Sequence, residues 1–165
     1  MTRTFRYPAR ALAADYARGA AGIACTLGLL LIVQPSGAVI WALAAGAALF
    51  LVYFARTAVS HLSSIELAES GVRAVAPLGA TIRWENLRAI RLSYYTTRSD
   101  RSGGWMQLDL HGTERRIGVD SRLEGFVDLA AAAALEAHRR GIAVDETTRA
   151  NLAALGIAHP GAAAR

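Results

Sequence analysis

The sequence predicts an α+β membrane protein, in which a two-helix transmembrane hairpin precedes an antiparallel β domain of six or seven strands capped by a C-terminal helix. Three observations lead to this fold class. Residues 19–55 form a run of 37 residues without a charge, apolar and polar side chains alternate after Arg56, and a run with helical periodicity follows the last strand. At 165 residues, 53% of them hydrophobic and 19% charged, the chain has room for one modest domain beside the hairpin.

The charge-free run is too long for a single crossing. As a helix it would extend roughly 55 Å at about 1.5 Å per residue, whereas the hydrocarbon core of a bilayer is about 30 Å thick. Gln34, Pro35, Ser36 and Gly37 in the middle of the run are typical of a turn. We therefore expect a basic tail over 1–15 and a transmembrane hairpin over 16–55, with helices at 16–33 and 38–54.

Two alternatives compete with the hairpin. A secretory signal peptide fits the arginines before the first apolar segment, but cleavage near Ala21 or Ala24 would leave the second apolar segment still in need of a membrane. A buried hairpin of a soluble core is disfavoured because the second segment is apolar on all sides. A transmembrane hairpin is the remaining interpretation.

Flanking charge predicts the orientation. The first eighteen residues carry four arginines against Asp15, whereas the turn between the segments carries no charge. Because positively charged flanks stay in the cytoplasm, both termini and the C-terminal domain should be cytoplasmic. The run 19–55 contains no Asp, Glu, Lys, Arg or His, so an ion or proton pathway is not expected.

Small residues recur at every fourth position in the second segment, at Ala38, Ala42 and Gly46. Such a stripe permits close approach of another helix. It either packs the hairpin on itself or docks a partner helix in the membrane.

The alternation after Arg56 predicts six short strands in an antiparallel meander. Their expected ranges are 61–68, 72–76, 80–84, 87–95, 106–111 and 117–119. Ser121 and Glu124 match a capping box for a helix over 122–140, whose buried face is expected to contain Leu123, Phe126, Val127, Ala130, Ala134 and His138. A second short helix should begin at the cap Asp145 within the final segment, 142–165, whose end is expected to be unstructured.

The run Ile82-Arg83-Trp84-Glu85-Asn86-Leu87-Arg88-Ala89-Ile90, between the hairpin and the closing helix, resembles the bacterial pleckstrin-homology-like (PH-like) membrane proteins with an N-terminal transmembrane hairpin. The resemblance implies a curled, partly open antiparallel barrel over 56–141, anchored in the bacterial inner membrane. It also implies a non-catalytic role in holding partners or lipid. The expected count of six strands is one short of the usual seven, so one strand is expected near 56–61 or at the barrel seam.

No catalytic, cofactor or metal site is predicted. Asp109 and His111 are expected on one exposed strand face, but neither His61 nor His138 stands at a recognisable spacing for a third metal ligand. Cys25 has no second cysteine with which to form a disulfide, and a net charge of +2 after residue 55 does not indicate nucleic-acid binding.

An accessory, scaffold or assembly protein of a larger inner-membrane complex is therefore the leading functional hypothesis, with the lipid bilayer and an integral membrane protein complex as partners. Self-association is compatible with it. The alternatives are a sensor of anionic lipid and an enzyme with an unrecognised motif. The candidate partner-binding residues are Ala38, Ala42, Gly46, Arg88, Arg91, Tyr95, Arg98, Arg101 and Trp105.

Overall fold

The computed structural model describes residues 2–33, 37–75, 79–96 and 104–157. It separates into a helical unit, Tyr7–Ser63, and a β unit formed by Met1–Arg6 together with Ser64–Arg165. The elements are β1 (Arg3–Arg6), α1 (Ala9–Val33), α2 (Ala38–Leu62), β2 (Ser64–Ala68), β3 (Gly71–Val75), β4 (Ala80–Arg83), a 3-10 turn (Trp84–Asn86), β5 (Leu87–Tyr95), β6 (Trp105–Gly112), β7 (Arg116–Asp120), α3 (Phe126–Arg139) and α4 (Glu146–Ala154).

The helical unit contains two helices that are long and apolar enough to cross a membrane, over Ala9–Ile32 and Ala38–Val59. Only 6% of the most apolar window of each helix is buried, unlike the core helix of a soluble protein. Large apolar side chains face outward, among them Ile32 (84% exposed) and Trp41 (78% exposed). These features indicate membrane association.

Both helices extend beyond the charge-free run. The first begins at Ala9 rather than at residue 16, and the second continues to Leu62 rather than ending at 54. Residues 61 and 62 are therefore helical, and the prediction that they start a strand was wrong. The helix ends where the backbone N–H and the hydroxyl of Ser63 both donate to the Val59 carbonyl, at 3.0 and 2.7 Å.

The β unit consists of two antiparallel sheets, with strand orders β1-β2-β3-β4 and β5-β6-β7. In the part of the chain that the structure describes, the strands form these two sheets and do not close into a barrel. The core between the strands and helices is filled by large apolar side chains, including Ile82, Trp84, Leu92, Leu108, Leu110 and Leu129.

The seventh strand, β1, lies in the N-terminal tail and precedes the helical unit. It pairs with β2 in a register that places Phe5 opposite Ile65. The Glu124 N–H also donates to the Arg6 carbonyl at 3.0 Å, and Arg3 forms an ion pair with Asp128 at 3.2 Å. The chain thus leaves the first sheet after β1 and returns to the same sheet at β2.

A β-bulge in β5 explains why two inward side chains do not follow simple alternation. Register shifts between Leu87 and Ala89, so Arg88 is the extra residue. Leu87 and Ile90 are consequently both buried although they are three residues apart.

The predicted capping box at Ser121 and Glu124 was wrong. The Ser121 hydroxyl instead accepts from the Met106 backbone N–H at 3.1 Å. Gly125 precedes α3 in a left-handed conformation with φ 77°, and a Cβ at this position would collide with the Phe5 ring. In the structure the helix begins at Phe126, and its buried residues are Phe126, Leu129, Ala130, Ala133, Ala134 and Ala137, so its buried face is rotated from the predicted one. Val127 and His138 are exposed.

The short helix α4 begins as predicted after Asp145, whose carboxylate accepts from the Thr148 N–H at 2.7 Å. This hydrogen bond lowers the pKa of Asp145. Two α4 side chains then bind the open edge of β5. Thr148 Oγ1 accepts from the Leu92 N–H at 3.0 Å, and Asn151 Nδ2 donates to the Leu92 carbonyl at 2.7 Å. The helix therefore satisfies backbone groups that a neighbouring strand would otherwise satisfy.

We predict that Thr148→Val destabilises the protein by about 1–3 kcal/mol, because it leaves the buried Leu92 N–H without an acceptor. The measurement is denaturant unfolding in detergent. Thr147→Val is the matched control, since Thr147 is the exposed neighbour on the same helix. Equal stabilities of the two variants would contradict this role for Thr148.

Candidate functional site

The outer face of the second sheet carries most of the predicted partner-binding residues that the structure describes in the β unit. Inward residues of β6 such as Leu108 and Leu110 are fully buried, and the residues between them face away from the core. We use the name outer face for this surface, which contains Arg91, Tyr95, Trp105, Gln107, Asp109 and Arg116.

Tyr95 and Trp105 form an aromatic pair at one end of the outer face. They are direct cross-strand partners, and their rings stack with centroids 5.6 Å apart and planes inclined by 25°. Tyr95 remains 43% exposed and Trp105 37% exposed. The cross-strand contact orders both rings while leaving area for a partner to cover.

Asp109 is buried on this face, with a side chain 5% exposed, so the expectation that it is an exposed residue was wrong. Its carboxylate pairs with Arg116 Nη2 at 2.8 Å and accepts from Gln107 Nε2 at 3.1 Å. Asp109 raises the pKa of Arg116 through this hydrogen bond. Gly118, opposite Asp109 in the register, leaves room for the carboxylate, since a Cβ there would lie 2.8 Å from Asp109 Oδ1. The carboxylate thus stabilises the face internally.

Arg91 and Arg88 occupy different positions. Arg91 is exposed and directly opposite Asp109 in the register, within the outer face. Arg88 is the bulged residue, and its Nε donates to Thr113 Oγ1 at 3.1 Å. The structure therefore places Arg91, Tyr95 and Trp105 on one sheet face, with Arg91 four residues along β5 from the aromatic pair. Arg88 lies near the opposite end of β5, and Arg98 and Arg101 lie outside the described residues.

The small-residue stripe of α2 is divided between two environments. Gly46 faces α1, where a Cβ would lie 3.4 Å from Thr26 Cγ2, whereas Ala38 and Ala42 are exposed. The closest packing between the helices occurs elsewhere: a Cβ on Gly22 would overlap the Phe50 ring. The helices thus pack chiefly through Gly22 and its neighbours, and the first two positions of the stripe remain accessible.

A polar cluster joins the charged ends of the two helices, and sequence reasoning did not find it. The Tyr53 hydroxyl donates to Asp15 at 2.9 Å, and Arg18 pairs with the same carboxylate at 3.1 Å. The Tyr16 hydroxyl lies 3.2 Å from His61 Nδ1. Asp15 and Tyr53 are 38 residues apart in the chain, so their pairing is visible only in the tertiary structure.

A cleft of about 410 Å³ lies beside the end of α3. Most of the charged side chains that line it form ion pairs with one another. Arg83 pairs with Glu85 at 2.9 Å, and Arg140 pairs with Glu136 at 3.5 Å. Among the residues that the structure describes, no group of three His, Cys, Asp or Glu side chains is arranged to hold a metal ion.

Comparison of the chain with protein-family models, with curated proteins and with solved structures finds no match. The function is therefore inferred from the geometry of the chain itself.

We predict that Gly22→Leu destabilises the helical unit by about 1–3 kcal/mol, because the added side chain must displace the Phe50 ring. Gly28→Leu is the matched control, since nothing lies within 4 Å of a Cβ at Gly28. Unfolding in mixed detergent micelles measures both variants. A larger loss for Gly28→Leu would contradict the observed helix packing.

Proposed function

We propose that the protein is a membrane-anchored, non-catalytic accessory or scaffold protein of a larger inner-membrane complex, and that its β unit binds a protein partner through the outer face. The observation that supports this most is the stacked, half-exposed Tyr95–Trp105 pair, which lies on the same sheet face as the exposed Arg91. Tyr, Trp and Arg are the side chains that dominate binding energy at protein interfaces.

Membrane anchoring by two crossings is supported by the position of β1. Because β1 and β2 belong to one sheet, both ends of the helical unit must be on the same side of the membrane, which requires an even number of crossings. Cleavage after Ala21 or Ala24 would remove a strand of this sheet, so a retained hairpin is favoured over a signal peptide. The excess of arginine before the first span favours the cytoplasmic side for both ends.

A PH-like assignment of the β unit is part of this proposal. The described residues form seven antiparallel strands followed by a helix, and this number agrees with the one that the resemblance of residues 82–90 implies. The chain departs from that pattern in one respect, since the hairpin lies between the first and second strands and does not precede all of them.

The layout suits a weak interaction domain. A membrane anchor raises the effective concentration of the β unit near membrane-bound partners, so a modest interface is sufficient. The exposed Ala38 and Ala42 offer a second contact, because small residues let a neighbouring transmembrane helix approach closely.

The orientation is tested with reporters fused after Arg165. We expect a fluorescent protein to be bright and alkaline phosphatase to be inactive, since the first folds in the cytoplasm and the second requires an oxidising compartment. The reverse result would exclude the cytoplasmic orientation of the β unit.

The partner is tested by purification from native membranes in mild detergent. We expect Trp105→Ala and Arg91→Glu each to reduce recovery of a co-eluting membrane protein by about tenfold or more, as is typical of interface hot spots. Arg73→Glu is the control, because Arg73 is an exposed arginine on the first sheet.

Co-elution of no protein, or equal recovery with all three variants, would overturn the partner assignment. Binding to protein-free vesicles that increases with anionic lipid and falls steeply with salt would instead favour the lipid-sensor alternative.

A further inference from the structure

The outward side of α3 presents an apolar stripe that the described residues of the β unit leave partly exposed. Val127 and Leu135 are each 46% exposed, and Ala131 lies midway between them at helical spacing. Together with Ala134, Leu155, Gly156 and Ile157, these three residues line an apolar groove of about 370 Å³. The sequence predicts that Val127 is buried, whereas in the structure Val127 is exposed and lines this groove.

The stripe is complementary to itself. Val127 and Leu135 stand four residues before and after Ala131, so antiparallel packing about a twofold axis at Ala131 would set Val127 of one copy against Leu135 of the other. The small side chain at the centre permits close approach of the two helices.

Charge favours the same antiparallel arrangement. Acidic residues, Glu124 and Asp128, stand at the start of α3, and basic residues, Arg139 and Arg140, stand at its end. Two antiparallel copies would bring the acidic end of one beside the basic end of the other, and their helix dipoles would also be opposed. Within one copy, Asp128 pairs with Arg3, and Arg139 and Arg140 both pair with Glu136. Two arginines share this one carboxylate, so a net positive charge remains at the end of α3, and the exposed Arg3–Asp128 pair is weak.

We propose that α3 binds α3 of a second copy of this chain, forming a symmetric dimer centred on Ala131. This contact is separate from the outer face, and it would present two outer faces to the partner complex. A single helix pair is a small interface, but confinement to one membrane raises the effective concentration of the copies.

The test is oxidative cross-linking of the full chain in its native membrane. In a Cys25→Ser background, Ala131→Cys places a thiol on the twofold axis, where it meets its own counterpart within disulfide reach. We expect disulfide-linked dimer as the main product. The matched control is Ala150→Cys, an exposed alanine on α4 outside the groove, which we expect to remain mostly monomeric.

Second-site changes test the contact and its register. Adding Leu135→Asp should lower the cross-linked fraction about tenfold or more, because an unpaired carboxylate would be buried. Glu124→Arg and Arg139→Glu should each lower it severalfold, and the double variant should restore it. Thermal melting establishes that each variant is folded, as expected for exposed positions.

Equal cross-linking at residues 131 and 150, or no effect of Leu135→Asp, would overturn the dimer. A severalfold rise in cross-linking after deletion of residues 158–165 would also overturn it, by assigning the groove to the chain's own C-terminal segment. These results do not depend on recovery of a partner through the outer face, so either proposal can fail without the other.

Discussion

The pairing of β1 with β2 is the constraint on which the rest of the structure depends. Four residues at the start of the chain complete a sheet whose other strands follow the helical unit. The Phe5 side chain fills the space above Gly125, and the Glu124 N–H binds Arg6, so the start of α3 is built on the same strand. Because β1 precedes the two apolar helices and β2 follows them, the chain leaves this sheet before the helical unit and rejoins it afterwards.

The β5 edge of the second sheet is bound by side chains of α4. Sheet edges expose backbone N–H and carbonyl groups that would otherwise pair with another chain. At β5 the side chains of Thr148 and Asn151 take the place of a neighbouring strand. With this edge bound, the contacts that we propose are made by side chains on the outer face and on α3. Binding through such side-chain surfaces would not require the sheets to pair with those of a partner.

The two proposed surfaces differ in chemistry and hence in purpose. The outer face combines the stacked Tyr95 and Trp105 rings with the exposed Arg91 and an internal Asp109–Arg116 ion pair, which suits recognition of a different protein. The α3 stripe is apolar, symmetric about Ala131 and flanked by opposite charges, which suits a copy of itself. A dimer anchored in one membrane would display its outer faces as a pair.

The sequence by itself determined the elements whose signal is local. The charge-free run and its turn predict two apolar helices, and the alternation predicts most strands from β3 onward. Asp145 marks the start of α4. These signals can be recognised because hydrophobic periodicity and capping depend on residues close together in the chain.

Only the tertiary structure decided the features that depend on contacts between distant residues. The strand β1 has one buried side chain and is defined by its pairing with β2, while the burial of Asp109 follows from the side chains around it. Val127 is exposed because tertiary packing buries the face of α3 that contains Leu129, Ala133 and Ala137. Contacts between residues far apart in the chain produce no periodic pattern in a single sequence. These features, and the surfaces that depend on them, can therefore be identified only in the folded structure.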